Sequence, residues 1–573
     1  FQRVVMNNEV LGERAQNAEG AATEEQSRLK QYKNLAKHEA SCRRHFVFQD
    51  MRRRRTECSV ELRKQKRDDL LMKRRNLVEE DEEDELNVSE DGSKQQPEGG
   101  NKKPPAPVLT CDQVVEILKN NPDVQQTRDA FESVRRLLSK SKNPPVDEVI
   151  NCGLIHALVQ GLSIPDEKIP YECAWALTNI VSGTSEQTVK AVESGATGPL
   201  IQLMMHADLN LAEQATWAVA NIAGDSAQLR DFVIQSSGVE ALMVLCSKMG
   251  QLTTSFVRTL AWTFSNMCRH KNPHAPLPVL QVLAQGLLRL MQHEDYNVRQ
   301  DACWAVSYLT DGPDEQITLA RDAGIMPFVY KHLSEDDGLV APALRVLGNM
   351  ATGNDVLTQT VIELGTLRVL PAVARKAKSS SIVKECCWLI SNVIAGVPPA
   401  RWDPSCSWTV WTAEAMAQKR RTQQQIQAVI DAGLLTMLVT IMQTGDYRCQ
   451  FECSWALANL AQGGTTRQIL ELTGEKPMAA LAVALGHTNA DLLSNILEVI
   501  YSLLTAVATN KPDKLDALKE EVEEAGVLDK LEALQENHNE KVYNQTYKIL
   551  SEYFSEEDEN EENDGETGNF YNF

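Results

Sequence analysis

Five times in this sequence a tryptophan is followed four residues later by an asparagine: Trp175 and Asn179, Trp217 and Asn221, Trp262 and Asn266, Trp388 and Asn392, Trp455 and Asn459. Residues four apart on a helix share one face, so each pair would present an indole beside a carboxamide. A carboxamide both donates and accepts hydrogen bonds, and a row of them can hold an extended peptide by its backbone without reading its side chains. Slots between neighbouring indoles suit the methylene stem of Lys or Arg, with the cationic head over a ring face. Carboxylates stand beside these slots: Glu172, Asp301, Glu385 and Glu452 each lie three residues before a tryptophan, and Asp225 lies four after Asn221. The chemistry implied is recognition, and the ligand is an extended basic peptide.

Such a row needs helices stacked in register, and the spacing supplies them. Two altered copies, Trp304-Ala-Val-Ser-Tyr308 and Arg345-Val-Leu-Gly-Asn349, fill the gap between Trp262 and Trp388, and the steps from 175 to 345 are 41 to 45 residues. That period is the one expected of two- or three-helix repeats such as armadillo units. Five copies are trailed by a Gly-bearing break (Gly183, Gly224, Gly312, Gly353, Gly463), and a second turn such as Glu193-Ser-Gly195 or Asp431-Ala-Gly433 follows later. Glycine there lets consecutive helices reverse direction. The fold class expected is all-α: a right-handed armadillo-repeat solenoid of about ten repeats over residues 108–553, with a concave inner face. The ladder breaks at Tyr308 and Arg345, so two binding stretches are expected. The step from Trp388 to Trp455 is 67 residues, 25 too long. The excess falls at about 397–422, which holds Pro398, Pro399, Pro404, Trp402, Trp408 and Trp411 and reads as a solvent loop or a retained intron.

Charge divides the 573 residues further. The net charge is −21, which disfavours direct nucleic-acid binding. Residues 28–75 nevertheless hold 17 Lys/Arg against six Asp/Glu, a basic arm on an acidic body. Residues 77–107 read as an acidic flexible linker, 554–573 as an acidic disordered tail, and 1–27 as a disordered or spurious extension. No window looks apolar enough for a membrane helix, and no secretory signal is seen. The 13 cysteines are scattered through helical patterns and read as reduced, buried side chains. Cys449 and Cys453 lack the second pair that a zinc site needs. No phosphate-binding loop, nucleophile elbow or metalloprotease motif occurs, and His156 and His206 stand alone. No enzyme activity, cofactor or metal is expected.

The Trp-x-x-x-Asn ladder, the phrases Asn179-Ile-Val-Ser-Gly-Thr-Ser-Glu-Gln-Thr188 and Asn221-Ile-Ala-Gly-Asp225, and the basic arm together resemble the importin α (karyopherin α) family of nuclear localisation signal receptors. The resemblance implies a major signal site at Trp175, Asn179, Trp217, Asn221, Trp262 and Asn266, with Gly183, Thr188 and Asp225 receiving the principal lysine and Ser182 nearby. It implies a minor site at Asp301, Trp304, Tyr308, Arg345, Asn349, Thr358, Glu385, Trp388, Asn392, Glu452, Trp455 and Asn459. Arm residues 28–76 resemble the importin-β-binding segment, with contacts implied at Arg28, Lys33, Arg52, Arg53, Arg54, Arg55, Arg63 and Lys64. Partners implied are cargo bearing mono- or bipartite signals, importin β, an export receptor of the cellular-apoptosis-susceptibility type with RanGTP, and nucleoporins. Shuttling between cytoplasm and nucleus follows.

Two departures from the family pattern stand out: a lengthened arm at 38–48, and the excess at 397–422 beside the minor site. Physics adds one reading of its own. A basic arm tethered to an acidic, Trp-lined groove folds back into it, and Lys73-Arg74-Arg75 is the cluster expected to sit there as an autoinhibitor. The alternative is a structural armadillo scaffold of the catenin type, which needs neither the asparagine ladder nor the arm.

Overall fold

The computed structural model describes residues 73–76, 108–140, 142–395 and 413–554, and all regular structure among them is helical. The arm before Lys73, the linker at 77–107, the stretch 396–412 and the tail beyond Phe554 lie outside the described residues. Arg28, Lys33, Arg52–Arg55, Arg63 and Lys64 therefore have no described position. Among the described residues, Lys73–Asn76 falls in the same compact unit as the helical array.

Ten helices make its inner layer: α1 Val124–Leu138, α2 Ile169–Val181, α3 Leu209–Asp225, α4 Thr254–Arg269, α5 Tyr296–Leu309, α6 Asp337–Ala351, α7 Ser380–Ala395, α8 Tyr447–Gly463, α9 Ala490–Asn510 and α10 Glu540–Tyr553. Each packs against the next, and shorter outer helices complete the repeats. Most inner helices start at a short polar residue whose side chain accepts from a backbone N–H in the first turn: Asp123, Asp208, Thr253, Asp295, Asp336, Asp446, Asn489 and Asn539. These caps satisfy donors that a helix start leaves open. The reversal between outer helices uses a left-handed residue, as at Gly195 (φ 87°) and Gly365 (φ 80°), where glycine avoids the Cβ penalty.

One continuous apolar cluster runs from Cys111 to Ile549. A repeat cannot bury its apolar face alone, so stacking supplies the core. The residue just before each ladder asparagine is small: Thr178, Ala220, Ser265, Gly348, Ser391 and Ala458. The limit is Gly348, where a Cβ would run into Cζ3 and Cε3 of Trp388. Gly348→Val should therefore lower stability by about 1–3 kcal/mol through overpacking, seen as a lower melting temperature. An unchanged melting temperature would contradict this packing.

Two expectations need correction. The stretch before Gln423 is not all loop: a helix runs from Ala413 to Asp431, so ten residues read as loop are helical. Further, α9 is long and apolar enough by length and composition to cross a membrane, with a mean hydropathy of 1.6 over its best window. That apolarity is used internally, since α9 packs between α8 and α10 and buries Leu492, Leu493, Ile496, Leu497, Ile500 and Leu503.

Ten described cysteines are free thiols, and all but Cys152 are buried. Burial pushes the Cys268 thiol up to about 12, so it stays protonated and unreactive. Cys453 Sγ lies 3.4 Å from Cys387 Sγ, and no cluster of three or more metal-ligating residue types occurs among the described residues.

Candidate peptide-binding groove

The ladder asparagines are nearly fully buried, which would be costly for an amide without partners. Their partners follow one rule. Nδ2 donates to the backbone carbonyl of the residue just before the ladder position of the preceding repeat: Asn221 to Thr178 O (3.2 Å), Asn266 to Ala220 O (2.9 Å), Asn349 to Ser307 O (2.9 Å), Asn392 to Gly348 O (3.2 Å) and Asn459 to Ser391 O (2.9 Å). Asparagine is thus a structural tie between repeats. The same bond aims the rest of the amide outward along the groove.

Lys73–Asn76 lies across the first stretch. Asn221 Oδ1 accepts from Arg74 N (2.9 Å) while Asn221 Nδ2 donates to Arg74 O (3.0 Å). Asn179 repeats the clamp on Asn76, at 2.9 Å for both bonds. The indoles add a donor each: Trp217 Nε1 to Arg74 O at 2.8 Å and Trp175 Nε1 to Asn76 O at 3.1 Å. Alternate residues are gripped, one pair of peptide residues per repeat, which is the period of an extended chain. The segment runs antiparallel to the array, since its numbers rise as the ladder numbers fall.

The side chains fill two kinds of site. Lys73 Nζ donates to Gly183 O (2.9 Å), to Thr188 Oγ1 (2.8 Å) and to the carboxylate of Asp225, whose side chain is 3% exposed. Three acceptors match the three N–H donors of an ammonium group. The Thr188 hydroxyl donates back to Thr184 O at 3.0 Å, which leaves its lone pairs for the lysine. Arg74 lies over Trp262, with Cζ 4.5 Å from the ring centroid, and its Nη2 is 3.4 Å from Asp301 Oδ2. Burial raises the Asp301 carboxyl pKa, and Arg74 opposes that shift. Arg75 Nη2 donates to Leu138 O at 2.7 Å and to Lys140 O. Ser182 turns away, its Oγ donating to Asn179 O at 2.7 Å.

Not every carboxylate by the slots waits for a ligand. Glu172 pairs with Arg135, whose Cζ lies 4.7 Å from the Trp175 centroid. Glu385 pairs with Arg345 at 3.0 Å, and Arg345 lies over Trp388 at 5.8 Å. Arg135 and Ser139 stand at the ladder positions of α1, as Arg345 and Asn349 do on α6. Both stretches therefore contain the same trio: an arginine from one repeat, and a glutamate and tryptophan from the next. Arg135 escapes a search for Trp-x-x-x-Asn because both signature residues are replaced. Gln214, also missed, accepts from Asn76 Nδ2 at 2.9 Å. It stands three before Trp217, the offset that singled out the carboxylates.

The same inner layer aligns the second stretch. Trp304 and Tyr308 lie 6.4 Å apart at 32° on α5, Trp455 meets Phe451 edge-on at 6.3 Å on α8, and Glu452 is buried beside it. Thr358 lies in the first turn of the outer helix Asp355–Glu363, with its Oγ1 donating to Asn354 O at 3.3 Å.

Fold and site together define a class: an armadillo-repeat array with an extended basic segment clamped along its inner layer. Residues 28–128 match the family described as Importin beta binding domain. Residues 142–182, 184–224, 285–311 and 422–462 match Armadillo/beta-catenin-like repeat, and 517–568 match Atypical Arm repeat. The chain is 52% identical over 542 residues to importin subunit alpha-2 of Caenorhabditis elegans, covering 94% of each chain. It is 32% identical to importin subunit alpha-1b of Oryza sativa subsp. japonica, over 78% of this chain and 79% of that one. An engineered protein of the Northeast Structural Genomics Consortium shares the fold, with a TM-score of 0.63 at 21% identity over 77% of this chain and 98% of its own. The chain belongs to the importin α family, and the catenin-type alternative gives way to it.

Proposed function

We propose that this chain is a nuclear import adaptor that takes Lys/Arg-rich localisation signals, mono- or bipartite, along its inner layer and passes them to importin β through the basic arm. Its family consists of transport adaptors, not enzymes. In this reading the first stretch is the major signal site, the second the minor one, and Lys73-Arg74-Arg75 inhibits the first until the arm is captured. The observation that supports it most is the pocket of Gly183 O, Thr188 and Asp225, shaped for an ammonium group and filled by the chain's own Lys73. A tethered segment competes at an effective concentration in the millimolar range for a short flexible linker. Capture of the arm by importin β, through residues such as Arg28 and Arg52–Arg55, then favours cargo binding, and cargo favours capture equally. An export receptor with RanGTP on the C-terminal repeats, and nucleoporins, complete the cycle, so the protein shuttles between cytoplasm and nucleus.

The test is Lys73→Ala, Arg74→Ala and Arg75→Ala together in the full chain. Affinity for a fluorescent Lys-rich signal peptide should rise at least tenfold. Saturating importin β should give the unaltered chain a similar rise and the triple variant none. Equal affinities with and without the substitutions would reject autoinhibition.

A further inference from the structure

The left-handed turns set a register that carries across the 25-residue excess. Gly195, Ser237, Gly324 and Gly365 have φ of 87°, 66°, 77° and 80°. The residue twelve before each is Gly183, Asp225, Gly312 and Gly353, which stand four after the ladder residues Asn179, Asn221, Tyr308 and Asn349. Gly433 (φ 69°) is the same turn in the repeat built on Trp388, and twelve residues before it stands Arg421. The place that Asp225 takes beside the Thr188 pocket is taken, beside the Thr358 pocket, by an arginine.

The side chains agree with the count. Thr358 follows Asn349 by nine residues, as Thr188 follows Asn179. Its hydroxyl turns back onto Asn354 O and Ala351 O as that of Thr188 does onto Thr184 O and Val181 O. In the first pocket Ser185 Oγ donates to Asp225 Oδ1 at 2.9 Å. The counterpart of Ser185 is Asp355, and Arg421 Nη1 lies 3.7 Å from Asp355 Oδ2. The acid has crossed to the other wall, and a cation stands where the acid was. The long helix makes this possible: it starts eight residues before Arg421, whereas the helix after Asp225 starts two residues behind it. Asp355 is buried and the Arg421 side chain is 54% exposed, so the guanidinium reaches in from solvent.

A lysine entering the first pocket meets a carbonyl, a hydroxyl and a carboxylate. At the Thr358 pocket it meets a like charge already paired with the local acid. We propose that Arg421 is a specificity residue that closes the Thr358 pocket to lysine, so that basic signals are read at the first stretch and enter the second only by displacing the guanidinium. This rests on reading the groove as a receptor for basic signals.

The test uses the full chain with Lys73→Ala, Arg74→Ala and Arg75→Ala to empty the groove, and Asp225→Lys to close the first pocket. A labelled ten-residue Lys/Arg-rich peptide is titrated by fluorescence polarisation, with circular dichroism confirming unchanged helicity. Adding Arg421→Asp should raise affinity at least tenfold, Arg421→Ala should raise it a few-fold, and Thr358→Val should remove the gain. Unchanged or weaker binding with Arg421→Asp overturns the proposal. The parent with Asp225 intact separates the two readings. Binding there without a gain from Arg421→Asp sinks the role of Arg421 alone, and no binding there sinks the groove reading and this proposal with it.

Discussion

Asp225→Lys should weaken binding of a Lys-rich signal peptide by about a hundredfold or more, measured in a chain whose Lys73, Arg74 and Arg75 are alanine. The arm must be emptied first, because it uses the same carboxylate and its own weakening would hide part of the loss. Asp225 is almost fully buried against the lysine, so the pair is little screened by solvent. Removing one partner of such a pair costs about 2–5 kcal/mol, and a lysine in its place adds repulsion. Stability should change little by comparison, since Asp225 ends α3 and its neighbour Ser185 is exposed. A loss of less than threefold would mean that the pocket of Gly183, Thr188 and Asp225 does not hold the principal lysine.

Asn221→Ala should do two things at once. It removes both clamps on the peptide backbone, from Asn221 Oδ1 and Nδ2, and it removes the tie to Thr178 O. Each net hydrogen bond contributes about 0.5–1.5 kcal/mol, and an orphaned buried carbonyl costs about 1–3 kcal/mol. Peptide affinity should fall at least tenfold in the arm-emptied chain, and the melting temperature should fall as well. Thr178→Ala is the contrast, because it keeps the backbone carbonyl and touches no peptide atom; it should leave affinity within a few-fold. If Asn221→Ala lowered affinity with no change in melting temperature, the tie between repeats would carry no weight.

These two residues show how unevenly the groove was legible. Trp217, Asn221 and Asp225 announce themselves, since their types repeat at helical spacing and their neighbours make a cation site. The repeat period exposes the array for the same reason, as each unit must bury its face on the next. The second duty of Asn221 is invisible in one dimension, because Thr178 is 43 residues away and its carbonyl belongs to every residue type alike. Arg135 is hidden for another reason: a cation at a tryptophan position reads as a solvated helix face until Glu172 and Trp175 are seen around it. The helical start at Ala413 was masked by proline-rich sequence just before it and by the lack of an apolar stripe. Length and composition alone misjudge α9, whose neighbours α8 and α10 explain its apolarity.

The central claim is that the chain's own Lys73–Asn76 and a cargo signal compete for one set of atoms in one orientation. A crystal structure of the full chain with a bound Lys-rich signal peptide tests it most directly. A peptide lysine should replace Lys73 Nζ against Gly183 O, Thr188 Oγ1 and Asp225, with the backbone held by Asn179 and Asn221 in the same antiparallel sense. A peptide seated elsewhere while Lys73 keeps its pocket would contradict the account.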